Sequence, residues 1–343
     1  MAETLTLTDP LDMHVHLRDG AMLDTTVPLT AARFSGALAM PNLVPPLRSA
    51  EEAAAYRKRI EERCLGEAFR PYMTLFFHEG LTGAELERAR REVLAVKLYP
   101  RRATTHSDYG VDLPLSKRAL RVIESMEELG MVLCVHGETA GFVMDREREF
   151  VAVYDELSRL FPRLTIVMEH ITTREAVELL VRRDNLHATI TLHHLMLTLD
   201  DVVGGRIRPH NFCMPLPKTP ADRDALAELA FAAHPRVMFG SDSAPHARED
   251  KESCCGAAGV FSAPVALEAL TELFEAAGRL DSLQPFVSEN AKRIYAISPP
   301  KKTVRLVKDP WTVPELTGPA VPFLKGRTMM WRLDGVEPTA GQG

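Results

Sequence analysis

Eight short apolar segments, most of them separated by helical patterns, constrain the fold of this 343-residue chain more than any other feature. Strands that alternate with helices predict a parallel sheet with right-handed crossover connections. Eight such units favour a closed α/β barrel, the (β/α)8 or TIM barrel, over an open doubly wound sheet. The predicted strands are 11–17, 37–41, 71–77, 93–99, 131–136, 164–170, 187–193 and 236–242.

Helix-capping signals agree with this alternation. Ser49 and Thr82 are each followed three positions later by a glutamate, the pattern of a capping box, and Gly130 stands where a helix would end. No GxGxxG motif follows the first strand, which weakens the dinucleotide-binding alternative. The predicted helices are 49–64, 82–92, 116–129, 145–160, 172–183, 220–233 and 261–277.

The composition changes after about residue 300 to proline, lysine and short apolar runs. We therefore predict that residues 1–300 form the barrel. Residues 301–343 are predicted to form a short C-terminal extension that packs on the barrel, and a short strand pair is one interpretation of it.

Charge and composition argue against several classes of protein. The net charge of −6, without a concentrated basic patch, argues against nucleic-acid binding. The chain lacks a signal segment and an apolar run of about 18 residues, so we expect neither export nor a membrane span. Its five cysteines, including the adjacent Cys254 and Cys255, form no CxxC motif. Free thiols in a reducing cytoplasm are therefore expected.

Metal-binding side chains recur at the ends of the predicted strands, where the active sites of such barrels form. The first strand ends in His14-Val15-His16, and residues two apart on a strand lie on the same side. The later strand ends add Lys97, His136, His170 and Asp242. Imidazole and carboxylate ligands suit Zn²⁺ and tolerate Co²⁺ or Mn²⁺.

Strand parity predicts that these groups point into the barrel. His170 shares its strand face with Met168 and Ile166, and Asp242 shares its face with Met238. Because alternate side chains point to opposite faces, we expect each functional group to continue the inward face of its strand.

Each of these residues also has an ordinary structural interpretation. His170 would be a hydrogen-bonded core histidine, and Asp242 would cap a turn. Lys97 is unusual because burying an ammonium group at the end of an interior strand is costly. It either reaches the barrel mouth or pairs with a carboxylate, or it is neutral and has captured CO₂ as a carbamate able to bridge two metal ions.

Six motifs resemble, in their order along the chain, those of the dihydroorotases, the short monofunctional type within the amidohydrolase superfamily. They are DMHVHLRDG, MPNLVPP, VKLYPRRATT, CVHGE, EHITT and GSDSAPHAREDKESCCGAAGVF, and the resemblance extends to VPFLKG near the C-terminus. The resemblance implies a (β/α)8 barrel with a binuclear zinc centre, and a homodimer. It also implies reversible interconversion of N-carbamoyl-L-aspartate and L-dihydroorotate plus water, a step of de novo pyrimidine biosynthesis.

The resemblance assigns the metal ligands. One zinc ion is bound by His14, His16 and Asp242, and the other by His136 and His170. Lys97, carboxylated on its side-chain nitrogen by CO₂, bridges the two ions together with a hydroxide. The hydroxide is then the nucleophile, and Asp242 is the general base and acid.

A clamp for the substrate carboxylate is also implied by the resemblance. It consists of Arg18, Asn42 and His246, and a guanidinium fork can bind a carboxylate through two hydrogen bonds. Backbone contacts to the substrate ring are implied near Met214 and Ala258.

Thr104 and Thr105 match a family loop that closes over the substrate, excludes water and stabilises the developing oxyanion. The chain departs from the family pattern at Arg101 and Arg102, which we expect to alter loop closure, and at His193. Only His194, which lies at a predicted strand end, is considered for hydrogen bonding to a metal ligand. No metal role is predicted for the remaining histidines: His78, His106, His187, His193, His194, His210 and His234.

Two alternatives follow from the same residues. Other cyclic amidohydrolases, such as hydantoinases or allantoinases, share the metal ligands but need not share Arg18, Asn42 and His246. A catalytically inactive barrel could act as a scaffold for a neighbouring pathway enzyme, but it should have lost ligands such as Lys97 or Asp242. An intact clamp and a complete ligand set favour the active dihydroorotase.

Overall fold

Eight parallel strands form the central sheet and pair in chain order, which confirms the predicted barrel. In the computed structural model, which describes residues 3–112 and 114–338, an N-terminal strand β1 (Thr4–Thr8) precedes them. The barrel strands are β2 (Leu11–Val15), β3 (Gly36–Ala39), β4 (Arg70–Phe76), β5 (Ala95–Leu98), β6 (Val132–Val135), β7 (Ile166–Met168), β8 (Leu186–Ile190) and β9 (Val237–Phe239). The Asp242 N–H, just after β9, donates to the His14 carbonyl oxygen at 2.8 Å and so joins the last strand to the first.

Helices follow the strands around the outside of the barrel. Ser49 and Thr82 form the two predicted capping boxes, with Glu52 and Glu85. The α-helices are α1 (Leu23–Arg33), α2 (Ala50–Glu61), α3 (Gly83–Ala89), α4 (Lys117–Glu128), α5 (Arg146–Leu160), α6 (Arg174–Arg182), α7 (Leu192–Met196), α8 (Asp200–Val203), α9 (Pro220–Phe231), α10 (Arg248–Lys251), α11 (Ala266–Ala276) and α12 (Asn290–Tyr295). Short 3₁₀ segments cover Gly20–Met22, Pro209–Asn211, Ala263–Val265 and Leu280–Ser282, and a π-helical turn covers Pro285–Glu289.

Proline explains two differences from the predicted helices. α1 lies where no helix was predicted, because Pro28 within it interrupts the helical pattern of the sequence. The predicted helix at 261–277 begins only at Ala266, after a 3₁₀ turn that contains Pro264. Neither difference changes the order of strands in the barrel.

A separate apolar cluster fills the barrel interior, and helix α12 covers one end of it. Ala291 and Tyr295 of α12 belong to this inner cluster, and the Cys134 sulfur lies 3.3 Å from the Tyr295 hydroxyl. The strand residues of the cluster are Leu11, Met13, Leu38, Met40, Tyr72, Ala95, Val132, Cys134, Val167 and Met238. The polar ends of the strands lie at the opposite mouth of the barrel, which α12 does not cover. Barrel active sites lie at that mouth.

The parity argument is wrong for His170. Ile166 and Met168 belong to the outer cluster between the sheet and the helices, whereas Val167 belongs to the inner cluster. His170 follows the strand with φ of 40°, a left-handed conformation that turns its side chain away from the alternation. Asp242, with φ of 43°, also adopts this conformation beyond the end of its strand.

The C-terminal extension and the N-terminal strand form a second sheet. β1 pairs antiparallel with β10 (Lys302–Thr312), which pairs antiparallel with β11 (Thr328–Pro338). The buried Trp331 of β11 donates its indole N–H to Glu275 of α11 at 3.0 Å. The sheet therefore combines residues from both sides of the predicted boundary at residue 300.

All five cysteines have free thiols. Within the described ranges, no helix has the length and apolar character needed to cross a membrane.

Candidate metal centre

His14, His16 and Asp242 form a buried cluster at the barrel mouth. The Asp242 Oδ1 lies 3.0 Å from the His16 Nε2 and 3.4 Å from the His14 Nε2. One ligand atom from each residue lies within 4.8 Å of the others, which is close enough for one metal ion. The cluster combines the end of β2 with the segment after β9, because the barrel brings its first and last strands together.

His136 and His170 form the adjacent pair. The His136 Nδ1 faces the His170 Nε2 at 3.1 Å, and the two ring centroids are 4.7 Å apart. Nitrogen ligands lie about 2.0–2.1 Å from zinc, so two nitrogens at this separation can approach one ion. The rings of His170 and His14, centred 5.0 Å apart, connect the pair to the first cluster.

Lys97 lies on β5 and is fully buried. Its Nζ has no hydrogen-bond partner among the described residues and lies 5.1 Å from the centroid of the Tyr99 ring. Burial lowers the pKa of Lys97, although the charges of Glu169, Cys134 and Asp242 oppose this shift. The side chain therefore does not reach the solvent at the barrel mouth, and it forms no ion pair within the part of the chain that the structure describes.

Burial and hydrogen bonds set the protonation states of the cluster. Burial lowers the pKa of His16 to about 4, lowers that of His136 and lowers that of His170 well below its usual value. Burial alone would raise the pKa of Asp242, but the hydrogen bond with His16 and the nearby His14 and His170 hold this pKa well below its usual value. Neutral imidazoles and an ionised carboxylate are the forms that bind metal ions.

Two buried glutamates that the sequence analysis missed contact the candidate ligands. The Glu169 Oε2 lies 2.8 Å from the His14 Nδ1, and the Glu138 Oε2 lies 2.8 Å from the His136 Nε2. Such carboxylates fix the tautomer and orientation of metal-binding imidazoles. Their position next to histidines in CVHGE and EHITT was the available signal, and Glu169 also shares its strand face with the inner residue Val167.

The structure brings Arg18 and His246 together beside the cluster of His14, His16 and Asp242. The Arg18 Nη2 lies 2.9 Å from the His246 Nε2, and its Nε donates to the Pro245 carbonyl oxygen at 3.0 Å. Burial and the charge of Arg18 lower the pKa of His246 to about 3, so its imidazole is neutral at pH 7. The Pro245 carbonyl oxygen thus holds the Nε end of the guanidinium, while Arg18 lines the pocket.

Asn42, Thr105 and Ala258 connect the predicted loop to the pocket wall. The Asn42 Nδ2 donates to the Thr105 carbonyl oxygen at 3.1 Å, and the Thr105 hydroxyl donates to the Ala258 carbonyl oxygen at 3.3 Å. The His246 Nε2 lies 3.0 Å from the same Ala258 oxygen. The loop therefore stands closed over the pocket.

Most of the predicted site residues line one small cavity. Its lining comprises His14, His16, Arg18, Asn42, Tyr99, Thr104, Thr105, His136, His170, Met214, Asp242, Ala244, Ala258 and Gly259. The cavity holds about 20 Å³, roughly the space of one water molecule. In this closed form the cavity is too small for a ligand much larger than a water molecule.

Arg101 and Arg102 flank this loop on the solvent side. The Arg101 Nε lies 2.6 Å from Asp112, whereas Arg102 is largely exposed and 3.8 Å from Asp108. Arg101 therefore ties the start of the loop to its end, and Arg102 contributes only a weak surface pair.

His194 does not end a strand, because β8 ends at Ile190 and α7 begins at Leu192. Its Nδ1 lies 2.9 Å from the Thr191 hydroxyl and its Nε2 lies 3.0 Å from the Pro215 carbonyl oxygen. Together with His193 and Cys213 it forms the second group close enough for a metal ion, but both nitrogens of its ring already have partners. Among the described residues, the remaining histidines join no such group.

No family model matches the chain. A dihydroorotase of Helicobacter hepaticus is 43% identical over 339 residues, 97% of this chain and 98% of that protein.

Two solved structures match closely. A dihydroorotase of Campylobacter jejuni is 45% identical with a TM-score of 0.93, over 97% of this chain and 98% of that one. A dihydroorotase of Saccharomyces cerevisiae in complex with 5-fluoroorotic acid is 30% identical with a TM-score of 0.91, over 97% and 98%. An L-hydantoinase of Arthrobacter aurescens, 17% identical with a TM-score of 0.81 over 96% of this chain and 83% of that one, shares the fold alone.

Proposed function

We propose that this chain, which belongs to the dihydroorotase family and is a hydrolase acting on a cyclic amide, interconverts N-carbamoyl-L-aspartate and L-dihydroorotate plus water. The observation that carries the proposal is the convergence of four buried imidazoles, an ionised aspartate and a lysine amine with no partner among the described residues, beside the half-buried Arg18 at one barrel mouth. The first set suits metal-assisted hydrolysis, and the arginine suits a substrate that carries a carboxylate.

Two zinc ions fit the donor groups. In this proposal His14, His16 and Asp242 hold one ion, and His136 and His170 hold the other. The buried Lys97 amine has no partner among the described residues, and burial favours the neutral form that reacts with CO₂. A carbamate at this position would therefore complete both sites. When bound, the ions would polarise the amide carbonyl and lower the pKa of the attacking water.

The chain's own residues then bind substrate and move protons. Asp242, whose pKa is low, takes a proton from the attacking water and delivers it to the ring nitrogen that leaves. In the ring-closing direction it performs the reverse transfer. Arg18, Asn42 and His246 hold the substrate carboxylate, and the closed loop of Thr104 and Thr105 excludes water.

Two observations weigh against the alternatives. A hydantoin lacks the carboxylate that the half-buried Arg18 guanidinium, held at its Nε by the Pro245 carbonyl oxygen, is proposed to bind. An inactive scaffold would have no reason to keep five candidate ligands and Lys97 buried at one mouth. The homodimer implied by the resemblance and the cytoplasmic location expected from the cysteines stay predictions.

Metal analysis of the purified protein, combined with a dihydroorotate hydrolysis assay, tests the proposal. We expect about two zinc ions per chain and hydrolysis of dihydroorotate in preference to hydantoin. Arg18→Lys should raise the KM for dihydroorotate by about tenfold or more without loss of zinc, because a point charge does not replace a planar fork. Preference for hydantoin, or an unchanged KM in Arg18→Lys, would contradict the proposed substrate.

A further inference from the structure

Lys251, the last residue of α10, is a buried lysine whose partners are all backbone oxygens. Its Nζ donates to the carbonyl oxygens of Phe212 at 2.9 Å, Ala257 at 2.8 Å and Gly259 at 2.6 Å. An ammonium group has three N–H donors, so all are used. Among the described residues no carboxylate lies within ion-pair distance of it. Burial lowers the pKa of Lys251 to about 8, which leaves the three-donor form prevalent at pH 7.

The three acceptors belong to two chain segments that are far apart in sequence. Phe212 lies two residues before Met214, and Ala257 and Gly259 flank Ala258. The Gly259 N–H also donates to the Phe212 carbonyl oxygen at 2.9 Å. The ammonium group of Lys251 therefore joins the two pocket segments for which backbone contacts to the substrate ring are proposed.

In this arrangement the Ala258 carbonyl oxygen does not contact Lys251 and faces the pocket side instead. The carbonyls on either side of it point to Lys251, while the Ala258 oxygen contacts His246 at 3.0 Å and Thr105 at 3.3 Å. The clamp and the closed loop thus meet at one backbone oxygen, whose direction depends on its neighbours. Gly259 is held tightly as well, because a Cβ there would lie 2.3 Å from the Ala244 carbonyl oxygen.

We infer that Lys251 is a positioning residue that orients the pocket wall formed by Met214 and Ala258, and through Ala258 the clamp and the loop. The inference rests on the proposed function. Without the ammonium group, three carbonyls lose a buried donor and the wall can rotate, so substrate binding weakens before the chemistry does.

Lys251→Met tests this inference because it keeps the length of the side chain and removes the donors. Lys302→Met is the matched control. Lys302 is also fully buried, and its Nζ donates to the Ala31 and Phe34 carbonyl oxygens and to Glu67, but it lies in the extension sheet away from the pocket. We measure the KM and kcat for dihydroorotate, the Kd of 5-fluoroorotic acid, zinc content and thermal midpoint.

We expect Lys251→Met to raise the KM and the Kd by about tenfold, with a smaller fall in kcat and unchanged zinc. Lys302→Met should lower the thermal midpoint and leave the KM and Kd as they are. If Lys251→Met does not fold, Lys251→Gln, which is too short to reach three carbonyls, should give the same increase. An unchanged KM and Kd in the folded variant would overturn the inference. Absence of hydrolysis and binding in the unaltered enzyme would instead overturn the proposed function, and the inference with it.

Discussion

Burial determines the chemistry of single residues at this barrel mouth. The same low-dielectric surroundings that keep His136 and His170 neutral also disfavour the charged form of Lys97. Glu169 and Glu138 contact and orient the imidazoles of His14 and His136, respectively. A buried lysine amine with no partner among the described residues is costly, and this cost supports the bridging role proposed for Lys97.

Lys97→Ala should therefore lose zinc and activity together, because it removes the group proposed to bridge the two ions. Short carboxylic acids such as acetate should restore part of both by entering the vacated space. Zinc content and dihydroorotate hydrolysis, with and without acetate, check this expectation. Full zinc content or full activity in Lys97→Ala would exclude the bridging role.

At the scale of elements, the ends of the barrel strands decide where side chains point. Arg18, His170 and Asp242 have positive φ values of 64°, 40° and 43°, which are uncommon for residues with a Cβ. Such conformations cost energy, and at these three positions they set the direction of side chains that line the candidate site. The loop after β5 lies over the cavity and is held there by a few contacts, such as that of Thr105 with Ala258.

Thr105→Ala should lower kcat roughly twofold to tenfold, the worth of one hydrogen bond, and leave zinc content unchanged. Steady-state kinetics and metal analysis measure the two effects. Thr82→Ala is the control, because it removes a helix cap on α3 and should lower stability alone. Loss of zinc in Thr105→Ala would place this residue in the metal centre rather than in the loop.

At the scale of the whole molecule, the fold buries histidines that lie outside the candidate metal centre. Burial lowers the pKa of His193 and of His187 to about 4. The unfolded chain would protonate these groups near pH 6.5. Stability is therefore lost as the pH falls from about 6.5 towards 4, because the unfolded state then binds protons that the folded state does not.

His193→Gln should reduce this acid sensitivity by on the order of 3 kcal/mol between pH 6.5 and 4, since His193 is fully buried and its ring nitrogens have no partner among the described residues. The free energy of unfolding, measured by denaturant titration at several pH values, checks the expectation. Zinc content at each pH is the control. A pH profile identical to that of the unaltered protein would mean that His193 is not neutral when folded.

Local patterns in the sequence were enough to predict the barrel and the types of residue at its strand ends. Strand and helix periodicities depend on residues close together in the sequence, and so do caps such as Ser49. They can therefore be predicted without knowledge of the tertiary structure. The HxHxR pattern at residues 14–18 likewise indicated two metal ligands and a carboxylate anchor on one strand end.

Only the tertiary structure decided which distant groups meet. Glu169 contacts His14 across 155 positions, β1 pairs with β10 from the opposite end of the chain, and Lys251 joins two loops. The inward turn of His170 depends on a left-handed residue after its strand, which alternation cannot anticipate. These features arise from long-range packing and backbone geometry, whereas the sequence by itself determined the repeating architecture and the chemistry available at its mouth.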